Sequence, residues 1–179
     1  MKQLEQITVA QDTYTYTTTV TLEECQDIAW RIAEENTTHG KHMLEKSAEE
    51  LCIQAKEYWC CIIKNADELI WCVFLMPVEQ WWITLYERWS LFVKPQHRGK
   101  NISYTLIQNM LKLYSHLPLY SITNVPAVMK NTTKLQQHEY TKTIIPQHIL
   151  AVLEVPWALL DNDIIYCNEL LHALLQPHD

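Results

Sequence analysis

Leu91-Phe92-Val93-Lys94-Pro95-Gln96-His97-Arg98-Gly99-Lys100-Asn101-Ile102 is the stretch that decides the fold. An apolar strand ends at Pro95, because proline offers no N–H to a ladder and restricts the residue before it. A short basic turn follows, holding Arg98, Lys100 and one of only 2 glycines in the chain. From Ile102 the apolar residues recur at helical spacing, which predicts a helix over residues 102–116 with Leu106, Met110 and Leu113 turned inward. A helix start leaves backbone N–H groups unpaired and carries a partial positive charge. Strand, basic turn and helix start together make a seat for a phosphate-rich ligand.

Upstream, residues 81–93 read as one long strand, and residues 59–64 and 69–76 as a hairpin about Asn65-Ala66-Asp67-Glu68. Residues 14–20 alternate aromatic or β-branched residues with threonine, a first strand. Thr21-Leu22-Glu23-Glu24 and Ser47-Ala48-Glu49-Glu50 are capping boxes. The first opens a helix over residues 22–35 with Leu22, Cys25, Ile28, Ala29 and Ile32 as its apolar face. The second opens a helix with Ala48, Leu51, Cys52 and Ala55, and residues 36–46 between them form a polar loop. Downstream come a strand at 119–124, a helix from Pro126 to about 137, and a strand at 140–145. The apolar tail holds a strand at 163–168 and a short helix at 169–176. A strand-helix-strand unit over 81–124 implies a parallel crossover. With no linker in the sequence, the expectation is one α/β domain over 1–179.

Bulk composition narrows the function. Acidic residues outnumber basic ones 21 to 14, a formal net charge of -7, which argues against a nucleic-acid partner. No apolar run reaches the roughly 18 residues of a membrane span. The polar start Met1-Lys2-Gln3-Leu4-Glu5 lacks the apolar core of a signal peptide. The 6 cysteines show no CxxC pair and no zinc spacing, so they read as reduced thiols of a cytoplasmic protein. His39, His42, His138, His148, His172 and His178 have no acidic partner at ligand spacing, and no metal is expected.

The segment Trp89-Ser90-Leu91-Phe92-Val93-Lys94-Pro95-Gln96-His97-Arg98-Gly99-Lys100 and the element order around it resemble the GNAT-type N-acetyltransferases. The resemblance covers residues 58–145, about half the chain, and the two preceding helices also fit. It implies an α/β (α+β) fold, a GNAT-like central mixed β-sheet flanked by helices on both faces. It also implies acetyl-CoA as cosubstrate. The backbone at Phe92 and Val93 would bind the pantetheine arm and the acyl carbonyl. The amides of Arg98, Gly99, Lys100, Asn101, Ile102 and Ser103 would bind the pyrophosphate. The family turn reads Arg-x-x-Gly-x-Gly or Ala; here Asn101 and Ser103 stand at its glycine positions. The family's Gly-Phe signature falls at Glu139-Tyr140, and its general-acid tyrosine falls at Leu135.

Amine acetylation needs a neutral amine placed against the thioester, an oxyanion donor and management of two protons. Glu87, six residues before Val93, stands where the resemblance puts the general base. As a plain strand residue it would instead be an exposed carboxylate paired with Arg88 or Lys112. Tyr86 and Arg88 face the other side of the strand. Tyr140, Tyr104 and Ser103 are donors for the leaving thiolate by residue type. Asn124 would hydrogen-bond the pantetheine amide or the substrate, or cap the next helix. Core packing accounts for most of the tryptophans, Trp89 among them; Trp81 and Trp82 point to opposite faces, so one of the two is a candidate aromatic wall for a cationic or aromatic amine. The expected acceptor is a small-molecule or peptide amine, attacked directly in a ternary complex. Lys94, Arg98 and Lys100 form a local basic patch, and His97 beside them reads as a solvated loop histidine. The alternative is a catalytically inactive module of this fold that binds a protein partner. The apolar tail, with Leu150, Val152, Leu153, Val155 and Trp157, either covers the core or forms a homodimer seam.

Overall fold

A computed structural model describes residues 5–9, 12–17, 19–39, 45–57, 59–65, 68–79, 83–141, 143–154 and 163–176. The chain forms two compact units, Met1–Met76 with Trp89–Thr105, and Pro77–Arg88 with Leu106–Asp179.

In the first unit, strands β1 (Glu5–Val9), β2 (Asp12–Thr17), β3 (Trp59–Asn65) and β4 (Glu68–Glu79) pair antiparallel in sequence order. Strand β5 (Thr84–Val93) lies beside β4. A β-bulge between Ile63 and Lys64 shifts the register of the hairpin that the sequence predicts. Both capping boxes form as reciprocal pairs. Thr21 N–H donates to Glu24 at 2.8 Å and Glu24 N–H to Thr21 Oγ1 at 3.2 Å; Ser47 and Glu50 repeat the pattern at 2.8 and 3.2 Å. They start α1 (Leu22–His39) and α2 (Ala48–Glu57), which pack on each other. Their apolar stripes enter one core with Ile62, Leu69, Cys72, Phe74 and Trp89. Each large side chain buried there contributes about 1.5–3 kcal/mol. Leu22 corrects the expected stripe: it sits in the first turn and is half exposed.

In the second unit the strand order is β5-β6-β8-β7, with β6 (Leu119–Thr123), β7 (His138–Thr141) and β8 (Ile164–Cys167). β5 and β6 are parallel, Tyr86 opposite Leu119 and Glu87 opposite Tyr120. The β6–β8 and β8–β7 pairs are antiparallel, so the sheet is mixed. Helix α3 (Ile102–Leu113) begins in the first unit and makes the expected crossover. Its buried stripe is Ile102, Leu106, Ile107, Met110 and, beyond its last turn, Tyr114. Leu113 lies beside that stripe and is exposed, so the expected inward role passes to Tyr114. Helix α4 (Pro126–Lys134) opens with proline at its first position, where no N–H is missed.

The tail holds two helices, α5 (Gln147–Glu154) and α6 (Glu169–Leu175). Leu150 and Leu153 of α5 enter a core with Leu85, Tyr120, Ile165, Leu171 and Leu175, so this part of the tail covers the sheet. Val152, Val155 and Trp157 lie outside the described side chains. Asn168 locks α6 to β6. Its side chain accepts from Leu171 N–H at 3.0 Å and Leu119 N–H at 3.1 Å, and donates to Leu117 O at 2.8 Å. β7 lies earlier than the strand expected over 140–145, because Tyr140 and Thr141 pair with β8 while Thr143 and Ile144 turn into α5.

Candidate functional site

The first unit carries the basic turn. After Val93 a single 3-10 turn, Pro95–His97, is closed by the Arg98 N–H to Pro95 O bond at 3.1 Å. Gly99 then takes φ +81°. A Cβ there would meet nothing within 4 Å, so the demand for glycine is conformational, not spatial. Asn101 takes φ +59°, the left-handed region that asparagine tolerates better than most residues. It thereby fills a family glycine position with glycine-like backbone. The first helical bond runs from Thr105 N–H to Asn101 O at 3.1 Å, so the amides of Ile102, Ser103 and Tyr104 precede it.

The side chains of the turn are less available than the sequence implies. Arg98 Nε donates to Val93 O at 3.0 Å, and its Nη2 makes an ion pair with Glu35 of α1. Lys94 is buried and pairs with Glu68 at 2.6 Å. That hydrogen bond holds the Glu68 carboxyl below its ordinary range. Lys94 and Arg98 of the expected basic patch therefore have protein counter-ions, a correction set by the fold. His97 is not solvated either. It is buried edge-on to Tyr14, with ring centroids 6.2 Å apart, and its Nδ1 has no hydrogen-bond partner among the described residues. Trp89 is buried against Phe74 at 5.7 Å, with the Lys46 ammonium 4.8 Å from its ring. Trp81 and Trp82 lie outside the described residues, as does His42, and the Phe92 side chain is not described.

The second unit carries Glu87, Asn124 and Tyr140. Glu87 is 7% exposed, not a surface carboxylate. It sits opposite Tyr120 in the parallel ladder. Burial, and then the Glu87 charge, push the Tyr120 phenol above its ordinary value. The Tyr120 hydroxyl is buried with no hydrogen-bond partner among the described residues. Asn124 is exposed and donates to Asp163 at 3.2 Å. It does not cap α4: Val125 is the N-cap residue, and the Thr123 hydroxyl accepts the Val125 N–H at 3.1 Å. Tyr140 hydrogen-bonds His172 Nδ1 through its hydroxyl, and burial raises its pKa. His172 stacks on His138 at 3.6 Å, and His138 pairs with Glu169 at 2.8 Å. Leu135, at the family's tyrosine position, ends α4 and lines a cavity of about 430 Å³ with Gln108, Leu111, Lys112 and Ser115.

The sequence offers Arg88 only as an ion-pair partner for Glu87, and the structure gives it other partners. Its guanidinium is buried on the face opposite Glu87. It donates to Ser121 Oγ at 2.7 Å, Gln137 Oε1 at 3.2 Å and Thr132 Oγ1 at 3.4 Å. Only the pairing of β5 with β6 and the position of α4 bring those partners together, so no local signal could have found them.

No protein-family model matches the sequence, and no curated protein matches it. Solved structures do. An N-acetylglutamate synthase from Neisseria gonorrhoeae, complexed with coenzyme A and N-acetyl-glutamate, aligns over 87% of this chain at 14% identity and TM-score 0.64. The chain spans about a third of that protein's length, 34%. A GNAT-family acetyltransferase from Listeria monocytogenes aligns over 92% of this chain and 99% of its own, at 9% identity and TM-score 0.61. An acetyltransferase from Salmonella typhimurium, solved with its cofactor acetyl-CoA, aligns over 86% and 91%, at 10% identity and TM-score 0.60. At such identities the likeness is one of architecture: the chain has the fold of the GNAT-type acetyltransferases.

Proposed function

We propose that this chain is an acetyl-CoA-dependent N-acetyltransferase that moves the acetyl group to a primary amine by direct attack. The observation that carries the reading is the turn before α3, where Gly99 and Asn101 take left-handed conformations ahead of a helix N-terminus. Such successive amides form a concave anion site for a pyrophosphate. Ile102 is buried and anchors this start, while Arg98, Gly99, Lys100, Asn101 and Ser103 supply the rest. The backbone at Phe92 and Val93 receives the pantetheine arm and the acyl carbonyl. Acetyl-CoA brings an already activated thioester.

Glu87 accepts the amine proton, directly or through water. Asn124 hydrogen-bonds the pantetheine amide or the acceptor, and the Tyr140 phenol is the candidate proton donor. Amine acceptors in this fold include the one behind the N-acetyl-glutamate bound to the Neisseria synthase. A small-molecule or peptide amine is the matching class here.

The test is transfer of radiolabelled acetyl from acetyl-CoA to a panel of free amino acids, polyamines and peptide N-termini. Transfer to at least one amine is expected, and Glu87→Gln should lower kcat by about 10²–10⁴-fold. A Glu87→Gln variant at full rate would remove Glu87 from the mechanism. No transfer to any amine would remove the enzymatic reading.

A further inference from the structure

The outer edge of the second unit carries a cluster of ionisable groups of which the acetyl-transfer reading uses only Tyr140. β7 is an edge strand of 4 residues, and β8 is its one described neighbour in the sheet. Its His138 ring lies on the His172 ring of α6, with centroids 3.6 Å apart and planes within 5°. His138 Nε2 bonds Glu169 at 2.8 Å, and that bond holds the Glu169 carboxyl below its ordinary range. His172 bonds only uncharged groups among the described residues. The Tyr140 hydroxyl meets its Nδ1, and the Gln176 amide nitrogen lies 3.3 Å from its Nε2.

The surrounding elements bring no other charge against the two rings. Cys167 of β8, opposite His138, is buried, which pushes its thiol up to about 12 and keeps it neutral. Next in that row is the neutral Tyr120 of β6, and beyond it Glu87 of β5 stands three strands from His138. Glu139 points to the opposite face of β7 and accepts from the Thr133 hydroxyl at 2.7 Å. α5 turns Leu150 and Leu153 to the core that α6 shares.

Two neutral rings stacked face to face attract each other poorly, whereas a charged ring over a neutral one is attracted. The geometry therefore suits a single proton on the pair, carried by His138 beside Glu169. A second proton sets two like charges 3.6 Å apart, which weakens its uptake at least about fivefold even at the dielectric of water. It also removes the acceptor nitrogen of His172 that the Tyr140 hydroxyl and the Gln176 amide face.

We propose that the stacked His138–His172 pair is an acid-sensitive latch between the edge strand β7 and helix α6. It stays closed with one charge, on His138 beside Glu169, and opens when a second proton reaches His172. Opening releases the Tyr140 side chain from α6. The latch does not depend on the acetyltransferase reading, and its test needs no substrate.

The test is nuclear magnetic resonance of the histidine ring protons and the β7 amides in the full chain, over the range of about pH 8 to about pH 4.5 in which histidine changes charge. In the wild type the two rings should titrate in two steps at least about one pH unit apart, a tenfold difference in proton affinity. The second step should move the amide signals of Glu139, Tyr140 and Thr141 and remove the ring-to-ring contact. His172→Phe keeps an aromatic ring on His138 but takes no proton, so it should show one step and leave the β7 signals in place. His138→Phe tests the same point from the other ring and serves if His172→Phe does not fold. A single shared step in the wild type overturns the proposal, as does a second step that leaves the β7 amides unmoved. So does a phenylalanine variant whose β7 signals move in acid as those of the wild type do.

Discussion

Replacing Glu35 by Gln removes the carboxylate that holds Arg98, and the two consequences have opposite signs. Side-chain exposure of 47% for Arg98 and 17% for Glu35 places the pair near the surface. Such pairs are worth about 0.2–1 kcal/mol. Arg98 keeps its bond to Val93 O at 3.0 Å, so the turn should hold its shape. The expected stability loss stays below about 1 kcal/mol, a fall in Tm of no more than about 2–4 °C. If the turn seats a pyrophosphate, the same carboxylate competes with it for Arg98. Its removal should then tighten coenzyme A by up to about fivefold, the equivalent of 1 kcal/mol. Isothermal titration of coenzyme A into wild type and Glu35→Gln reads this directly. The gap should narrow as salt is raised, since exposed charges are screened over about 10 Å at 0.1 M. A folded Glu35→Gln variant that binds coenzyme A equally or more weakly would refute the competition.

Asn101 at φ +59° should tolerate glycine with no loss, whereas Asn101→Val should cost about 1–3 kcal/mol in thermal unfolding; equal stability of the two would contradict the left-handed assignment. Asn168→Ala strips the cap of α6 and its links to Leu117 and Leu119, and a loss above about 2 kcal/mol is expected in urea unfolding. A loss under about 0.5 kcal/mol would show that the three bonds are not formed together. Glu68 is lowered by Lys94, so its contribution is present above the ordinary carboxylate value of 4.5 and is lost as pH falls through the lower folded value. Lys94→Met removes that contribution. Relative to wild type, its urea midpoint should fall less as pH drops below that value; parallel acid profiles would contradict the pairing.

Much of the fold was legible because its signals are local. The capping boxes at Thr21 and Ser47 each need only four residues, and both form. The β5–turn–α3 stretch combines a proline, a glycine at φ +81° and a helical stripe, all readable in a dozen residues. β1 was not legible, since Glu5-Gln6-Ile7-Thr8-Val9 is short and draws its order from pairing with β2. α5 was missed because Gln147–Glu154 is apolar and lacks a box at its start. The partners of the site were out of reach for another reason. Glu35 and Arg98 are 63 residues apart, and Arg88 and Ser121 are 33 apart. Such pairings follow from strand order and helix placement, which spacing along the chain does not encode. Glu87 could be named from its distance to Val93, but its burial beside Tyr120 needed the register of β5 on β6.

The central claim is that the turn from Arg98 to Ser103 holds acetyl-CoA. The most direct measurement is thermal unfolding with and without excess acetyl-CoA, for the wild type and for Arg98→Glu, each compared with its own ligand-free state. A ligand at about 100 times its Kd adds about 2.7 kcal/mol of stability. A clear upward shift in the wild type that Arg98→Glu abolishes is the expected result. No shift in the wild type at millimolar acetyl-CoA would contradict the claim and leave a GNAT-fold module whose ligand is a protein partner.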